Sequence, residues 1–158
     1  MTIGLFYAIL LVCVILNIYF YFYFSKVAYY KESKLSENKT PVSVIVCAKN
    51  EEENLKKLVP LLLSQDHPDF EIILINDASS DDTRYVIEDF VEKHPKIKMV
   101  DVVNNETFWG NKKYALTLGI KKAVNEHLIF IDADCEPASN QWLKIISQPL
   151  QNDTTIVL

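Results

Sequence analysis

Asp132 and Asp134 flank a single alanine, directly after the apolar run His127-Leu128-Ile129-Phe130-Ile131. Two acids at i and i+2, where a chain leaves a strand, can both turn toward one cation. Hard divalent ions prefer such oxygen donors and keep positions open for a substrate phosphate. A D-x-D pair is a short motif that arises readily by chance. Its place after a buried-type strand is what distinguishes this one. Two other apolar runs end in comparable groups. One leads into Cys47-Ala48-Lys49-Asn50-Glu51-Glu52-Glu53, the other into Asn76-Asp77-Ala78-Ser79-Ser80-Asp81-Asp82. Asp77 suits a carboxylate that accepts hydrogen bonds from a ligand's N–H or hydroxyl groups, and equally a turn or cap residue. Lys112 and Lys113 follow Gly110 at a helix start, where a lysine and the helix N-terminus together favour a phosphate. A solvated lysine pair reads the same way. Glu51, Glu52 and Glu53 suit a helix N-terminus by dipole alone.

The elements that carry these residues alternate. The β-branched run Val42 to Cys47 reads as a buried strand. Glu52 to Gln65 has leucines at helical spacing, with Pro60 expected to kink or shorten the helix. Glu71 to Asn76 is a second strand. Ser79 to Asp82 offer N-caps for a helix over Thr83 to His94. Ile97 to Val103 is a strand. Asn111 to Val124 is a helix with Ala115, Leu118 and Ala123 inward. His127 to Ile131 is a fourth strand, Gln141 to Ile146 a short helix, and Thr154 to Leu158 the start of another strand. Strand alternating with helix implies an α/β fold with a mainly parallel sheet covered on both faces. In such sheets ligands bind beyond the carboxyl ends of the strands, where the acids above fall.

The chain has 158 residues, 49% of them hydrophobic, and a net charge of −5. All 16 basic and all 21 acidic residues lie from Lys26 onward. Ile3 to Phe24 is therefore 22 residues without a charge. As a helix it spans roughly 33 Å, enough to cross a hydrocarbon core of about 30 Å. Aromatic residues fill Phe20 to Phe24, as suits a membrane–water boundary. Lys26, Lys31, Lys34 and Lys39 all follow the segment, so the positive-inside rule puts the remainder in the cytoplasm. The organisation expected is a transmembrane anchor over 1–25, a polar linker over 26–40, and an α/β domain over 41–158 that stops on an unclosed apolar strand. The apolar content excludes disorder. Three scattered cysteines exclude a disulfide scaffold, and an acidic balance argues against nucleic acid. Three glycines, Gly4, Gly110 and Gly119, form no Gly-rich phosphate loop.

The ordered set of motifs resembles family 2 of the inverting glycosyltransferases, which have the GT-A fold. Pro41 to Glu52 is similar to the family's opening strand and its N-E turn. Glu71 to Thr83 is similar to its V-D-D-x-S-x-D-x-T segment, Gly110 to Leu116 to its G-K-x-x-A-L segment, and His127 to Asp134 to its strand ending in D-A-D. The resemblance implies that Asp77 contacts the nucleotide base, with the backbone of Cys47 and Ala48 nearby. It implies that Asn50 and Glu51 line the nucleotide pocket, and that Lys112, or Lys113, lies near the base or diphosphate. Asp132 and Asp134, with Ala133 between them, would hold the nucleotide-sugar and Mg²⁺ or Mn²⁺, with Glu136 assisting. Asn76 stands where the family commonly has the first Asp of its pair. The base that deprotonates the acceptor, and the acceptor itself (lipid-linked or polysaccharide), are expected from segments beyond Leu158. Two alternatives use other chemistry. A nucleotidyltransferase also carries metal-binding acids but usually a Gly-rich phosphate loop. A membrane-tethered receiver-like interaction domain wants an acid after its third strand, where this chain has Val103-Asn104-Asn105.

Overall fold

The computed structural model describes residues 2–28, 39–102 and 112–151. The chain divides into two units, one holding the first helix and one the sheet. Helix α1 runs Thr2–Ala28. Its segment Ile3–Ser25, 23 residues, is long and apolar enough to cross a membrane. Asn17, its strongly polar side chain, donates to the Cys13 carbonyl one turn back at 2.9 Å. That bond ties one N–H of the amide back to the helix itself.

The second unit is a βα alternation: β1 (Val42–Ala48), α2 (Glu52–Leu63), β2 (Phe70–Asp77), α3 (Thr83–Lys93), β3 (Ile97–Val102), α4 (Lys112–Lys122), β4 (His127–Asp132) and α5 (Trp142–Ser147), then a 3₁₀ turn over Gln148–Gln151. The expected elements therefore form, with ends moved by a few residues. Pro60 lies inside α2, which ends three residues later. Asn111, Val103 to Asn105 and Thr154 to Leu158 fall outside the described residues. The expected capping of α3 shifts: Asp82 makes no side-chain cap bond, and Asp81 Oδ1 accepts the Thr83 N–H at 3.0 Å instead.

All strand pairings are parallel, in the order β3-β2-β1-β4. A receiver-like sheet places its third strand beside its first. Among the described residues β3 pairs with β2 and not with β1, and β4 takes the other side of β1, so the receiver-like alternative fails on topology. Period-two alternation splits the strands into two faces. Val42, Val44, Val46 and Ala48 of β1, with Ile72 and Leu74 of β2, pack under α2, α3 and α5 through Leu55, Leu58, Leu62, Ile87 and Leu143. Ile45, Ile73 and Ile75 pack on the opposite face under Ala115 of α4. The order reverses between β1 and β4, and the crossover helix α4 covers the far face, which opens a crevice at the carboxyl ends of these two strands.

Gly119 lets α4 lie close. A Cβ there would meet Ile75 Cδ1 at 2.4 Å, Ile75 Cγ1 at 3.2 Å and Ile45 Cγ2 at 3.3 Å. At the opposite strand ends, Glu71 ties three elements together. Its Oε1 accepts from Ser43 Oγ at 2.6 Å and from the Val124 N–H at 2.8 Å, and Lys98 Nζ lies 2.6 Å from Oε2. Burial pushes the Glu71 carboxyl up, but the bonds from Lys98, Ser43 and Val124 outweigh it and hold the group below its ordinary value.

Two outcomes follow from these contacts. Gly119→Val adds bulk against packed isoleucines without the helix-propensity gain of alanine, and lowers unfolding free energy by about 1–3 kcal/mol in chemical denaturation. Because the folded Glu71 pKa is depressed, its stabilisation is complete above the unfolded value of about 4.3 and disappears as pH falls below it. Glu71→Gln therefore lowers stability at pH 7 by about 1–3 kcal/mol and flattens the loss of stability between pH 5 and pH 3.

Candidate functional site

Alternation decides which polar side chains meet at the crevice. Cys47 lies beside Asp132 in the β1–β4 register and beside Ile75 in the β1–β2 register. Asp77 is two residues past Ile75, so it shares that face. Asp77, Cys47 and Asp132 thus form a row along the carboxyl edge on the α4 side. Lys112, the first residue of α4, reaches this row: its Nζ lies 2.8 Å from Asp132 Oδ1. Of the lysine pair, Lys112 is the one joined to Asp132. Its pKa is raised, chiefly by that hydrogen bond, with Cys47 and Asp134 adding to it.

Burial falls along the row. Asp77 is 7% exposed, and among the described residues no donor bonds its carboxylate. The side chains of Lys112 and Asp132 are 58% and 61% exposed. Cys47 between them is pushed up to about 11, first by burial, then by the negative charges of Asp77 and Asp132 against the opposing Lys112 and Lys49. Such a shift disfavours the thiolate form. Past Asp132 the chain turns sharply, the Cys135 N–H donating to the Asp132 carbonyl at 3.1 Å. Ala133 is buried; Asp134 and Glu136 are exposed. The Cys135 thiol lies 3.7 Å from Asp134 Oδ1.

These acids suit a hard cation as a pair. The described residues hold no group of three His, Cys, Asp or Glu around one ion position; Asp132, Asp134 and Glu136 all lie exposed at the end of β4 and in the turn after it. Two carboxylates with open positions match an ion that takes its other ligands from water and phosphate.

The loops after β1 and β2 are bound to one another. Asn50, at φ 58°, accepts the Ser80 N–H on Oδ1 at 2.7 Å and donates its own N–H to Ser79 Oγ at 3.0 Å. The Glu51 N–H donates to Thr83 Oγ1 at 2.8 Å, and Glu51 Oε2 accepts from Asn54 at 2.6 Å. The side chains of Asn50 and Glu51 are thus engaged with the loop and with α2. Ala78, next to Asp77, also has a left-handed backbone, φ 50°. Asparagine tolerates that region; alanine carries strain there. Nothing in the turn and cap chemistry of residues 76 to 82 singles out Ala78 in the sequence. Trp142 packs against the main core, while Trp109 lies outside the described residues.

Relief of this strain is measurable. Ala78→Gly raises unfolding free energy by about 0.5–1 kcal/mol, and Ala78→Val lowers it by more than that, in chemical denaturation at neutral pH.

Comparison with known proteins gives this arrangement its context. The profile of glycosyl transferase family 2 matches residues 43–158. A poly-beta-1,6-N-acetyl-D-glucosamine synthase of Staphylococcus epidermidis is 39% identical over 93 residues, covering 59% of this chain and 21% of that protein. The mannosyltransferase PcManGT from Pyrobaculum calidifontis, solved with GDP-Man and Mn²⁺, superposes with a TM-score of 0.69 at 23% identity, over 85% of this chain and 40% of that one. TarS of S. aureus, solved as residues 1–349 with UDP, superposes with a TM-score of 0.56 at 29% identity, over 66% of this chain and 30% of that one. The chain spans less than half the length of each of these proteins. With a GT-A-like parallel sheet and the family profile over residues 43–158, the chain belongs to glycosyltransferase family 2.

Proposed function

We propose that this chain binds a nucleotide-diphosphate sugar in the β1–β4 crevice and serves a glycosyltransferase that passes the sugar to an acceptor with inversion. The observation that carries the reading is the convergence of Asp77, Asp132 and Lys112 on one face of the sheet's carboxyl edge. A largely buried Asp77 carboxylate suits a base N–H, since a charged acceptor binds an N–H donor more strongly than a neutral one. The backbone of Cys47 and Ala48 lines the approach, and Asn50 and Glu51 shape the loop beside it. Lys112 gives a cation to the diphosphate, at the end of a helix whose dipole favours the same charge. The TarS complex with UDP fits this.

Asp132 and Asp134 would hold Mg²⁺ or Mn²⁺, with Glu136 assisting. A divalent ion there supplies Lewis acidity to the departing diphosphate. The protein's part is to hold the base at Asp77, to aim the diphosphate with Lys112, and to keep the donor at a fixed strand edge. Deprotonating the acceptor hydroxyl falls to a base outside the residues assigned here. The reading includes a membrane anchor over 1–25, a linker over 26–40, and the nucleotide-sugar-binding part over 41–158 on the cytoplasmic side. A lipid-linked or polysaccharide acceptor suits an anchored enzyme, and the staphylococcal relative is named a polysaccharide synthase.

Calorimetry tests the donor site. Titrating UDP- and GDP-sugars with Mn²⁺ into the full-length protein gives binding that EDTA abolishes and that Asp134→Ala weakens at least about tenfold. A folded full-length protein that binds no nucleotide rejects the reading.

A further inference from the structure

Asp77 and its neighbour Asn76 leave β2 on opposite faces, as successive strand residues must. Asn76 therefore stands behind the crevice, on the α3 side, and is 3% exposed. It pairs with Asp101 in the β2–β3 register. Its Nδ2 donates to Asp101 Oδ1 at 2.7 Å, and its Oδ1 accepts the Ser79 N–H at 3.1 Å. Arg84 of α3 lies 3.3 Å from the other Asp101 oxygen. A chain of polar contacts thus runs from α3 through β3 and β2 into the turn that carries Asp77 and the strained Ala78.

The chemistry at position 76 is restrictive. Asp101 is an acceptor only and needs a donor. The Ser79 N–H is a donor and needs an acceptor. An amide supplies both, one from each end. A carboxylate at 76 would still accept from Ser79 but would face the Asp101 carboxylate at hydrogen-bond distance, with its own side screened from water. The Asn that departs from the family's usual Asp is thereby matched to Asp101.

We infer that Asn76 and Asp101 are positioning residues for the nucleotide site. They fix the Asp77–Ser79 turn from the far face of the sheet, and Arg84 holds Asp101 in place. The inference rests on the reading of Asp77 as the base contact. It also predicts a specific exchange. With Asp at 76 and Asn at 101, the new Asn donates to the new Asp, which still accepts from Ser79, so the network survives inverted.

A double-mutant cycle tests it in the full-length protein, with UDP and GDP as probes in calorimetry and Tm recorded for each variant. Asn76→Asp weakens nucleotide binding at least tenfold, measured well below that variant's Tm. Asp101→Asn stays within threefold of wild type, because the new amide oxygen still accepts from Asn76. The double variant Asn76→Asp/Asp101→Asn returns to within threefold. A folded Asn76→Asp that binds as wild type, or a double variant that recovers nothing, overturns the inference. Should Asn76→Asp fail to fold, Asp101→Ala decides: it leaves Asn76 Nδ2 without its acceptor and weakens binding threefold or more, and wild-type affinity there overturns the inference. A wild-type protein that binds neither nucleotide overturns the reading of Asp77 itself, which is a different result from binding that the variants leave unchanged.

Discussion

The parallel pairing of β1 with β4 is the constraint from which the crevice follows. It sets Cys47 beside Asp132, and β2 on the other side of β1 carries Asp77 to the same edge. Because side chains alternate with period two, that register sends all three toward α4 rather than away from it. A slip of one residue in β4 would turn Asp132 to the α2 side and leave Lys112 facing a different residue. The crossover of α4 to the far face completes the arrangement. It brings the helix N-terminus and Lys112 over the strand ends, and Gly119 keeps the helix close to Ile75 and Ile45 while it does so.

The strands were legible because their apolar runs are short, β-branched and bounded by polar turns. Val42 to Cys47 and Glu71 to Asn76 announce buried strands without any tertiary information. The positions of Asp77, Asp132 and Lys112 in the chain were legible for the same reason: each stands at the boundary of an element. What joins them was not. Strand order is a tertiary property, and nothing local in the sequence says that β4 lies beside β1. Asp101 reads simply as a polar residue in a strand until β3 is paired with β2. Gln65 looks like the last residue of a helix, yet it donates to the Ser139 carbonyl and accepts from the Leu143 N–H, across more than 70 positions. The capping of α3 by Asp81 rather than Asp82 turns on a rotation that four adjacent cap-forming side chains do not specify.

The departure at Asn76 shows how a local substitution acquires meaning only in three dimensions. In the linear motif it reads as a neutral exchange of Asp for Asn. In the sheet it decides whether two carboxylates face each other. Burial sharpens the choice, since a mismatch at a 3% exposed site has little water to relieve it. The same logic separates Asn50 from Ala78. Both take left-handed backbone in neighbouring loops, but Asn50 repays the conformation with its bond to the Ser80 N–H, whereas Ala78 has no side chain with which to do so. The strain at Ala78 is therefore borne by the contacts on either side of it.

The fall in burial along the crevice divides its labour. At the Asp77 end a screened carboxylate tolerates only a partner with a well-placed donor, which makes that end selective. At the Asp132 end both members of the ion pair are more than half exposed. Such a pair contributes about 0–1 kcal/mol, so it is readily exchanged. In the proposed reading Lys112 leaves Asp132 for a diphosphate at small cost, and Asp132 takes up a cation in its place. Had the pair been buried as Glu71 is, with several donors to one carboxylate, the same charges would stabilise the fold and resist exchange. The two acid–lysine pairs at opposite ends of the sheet, Lys98–Glu71 and Lys112–Asp132, thus use one interaction for opposite ends: the first locks, the second opens.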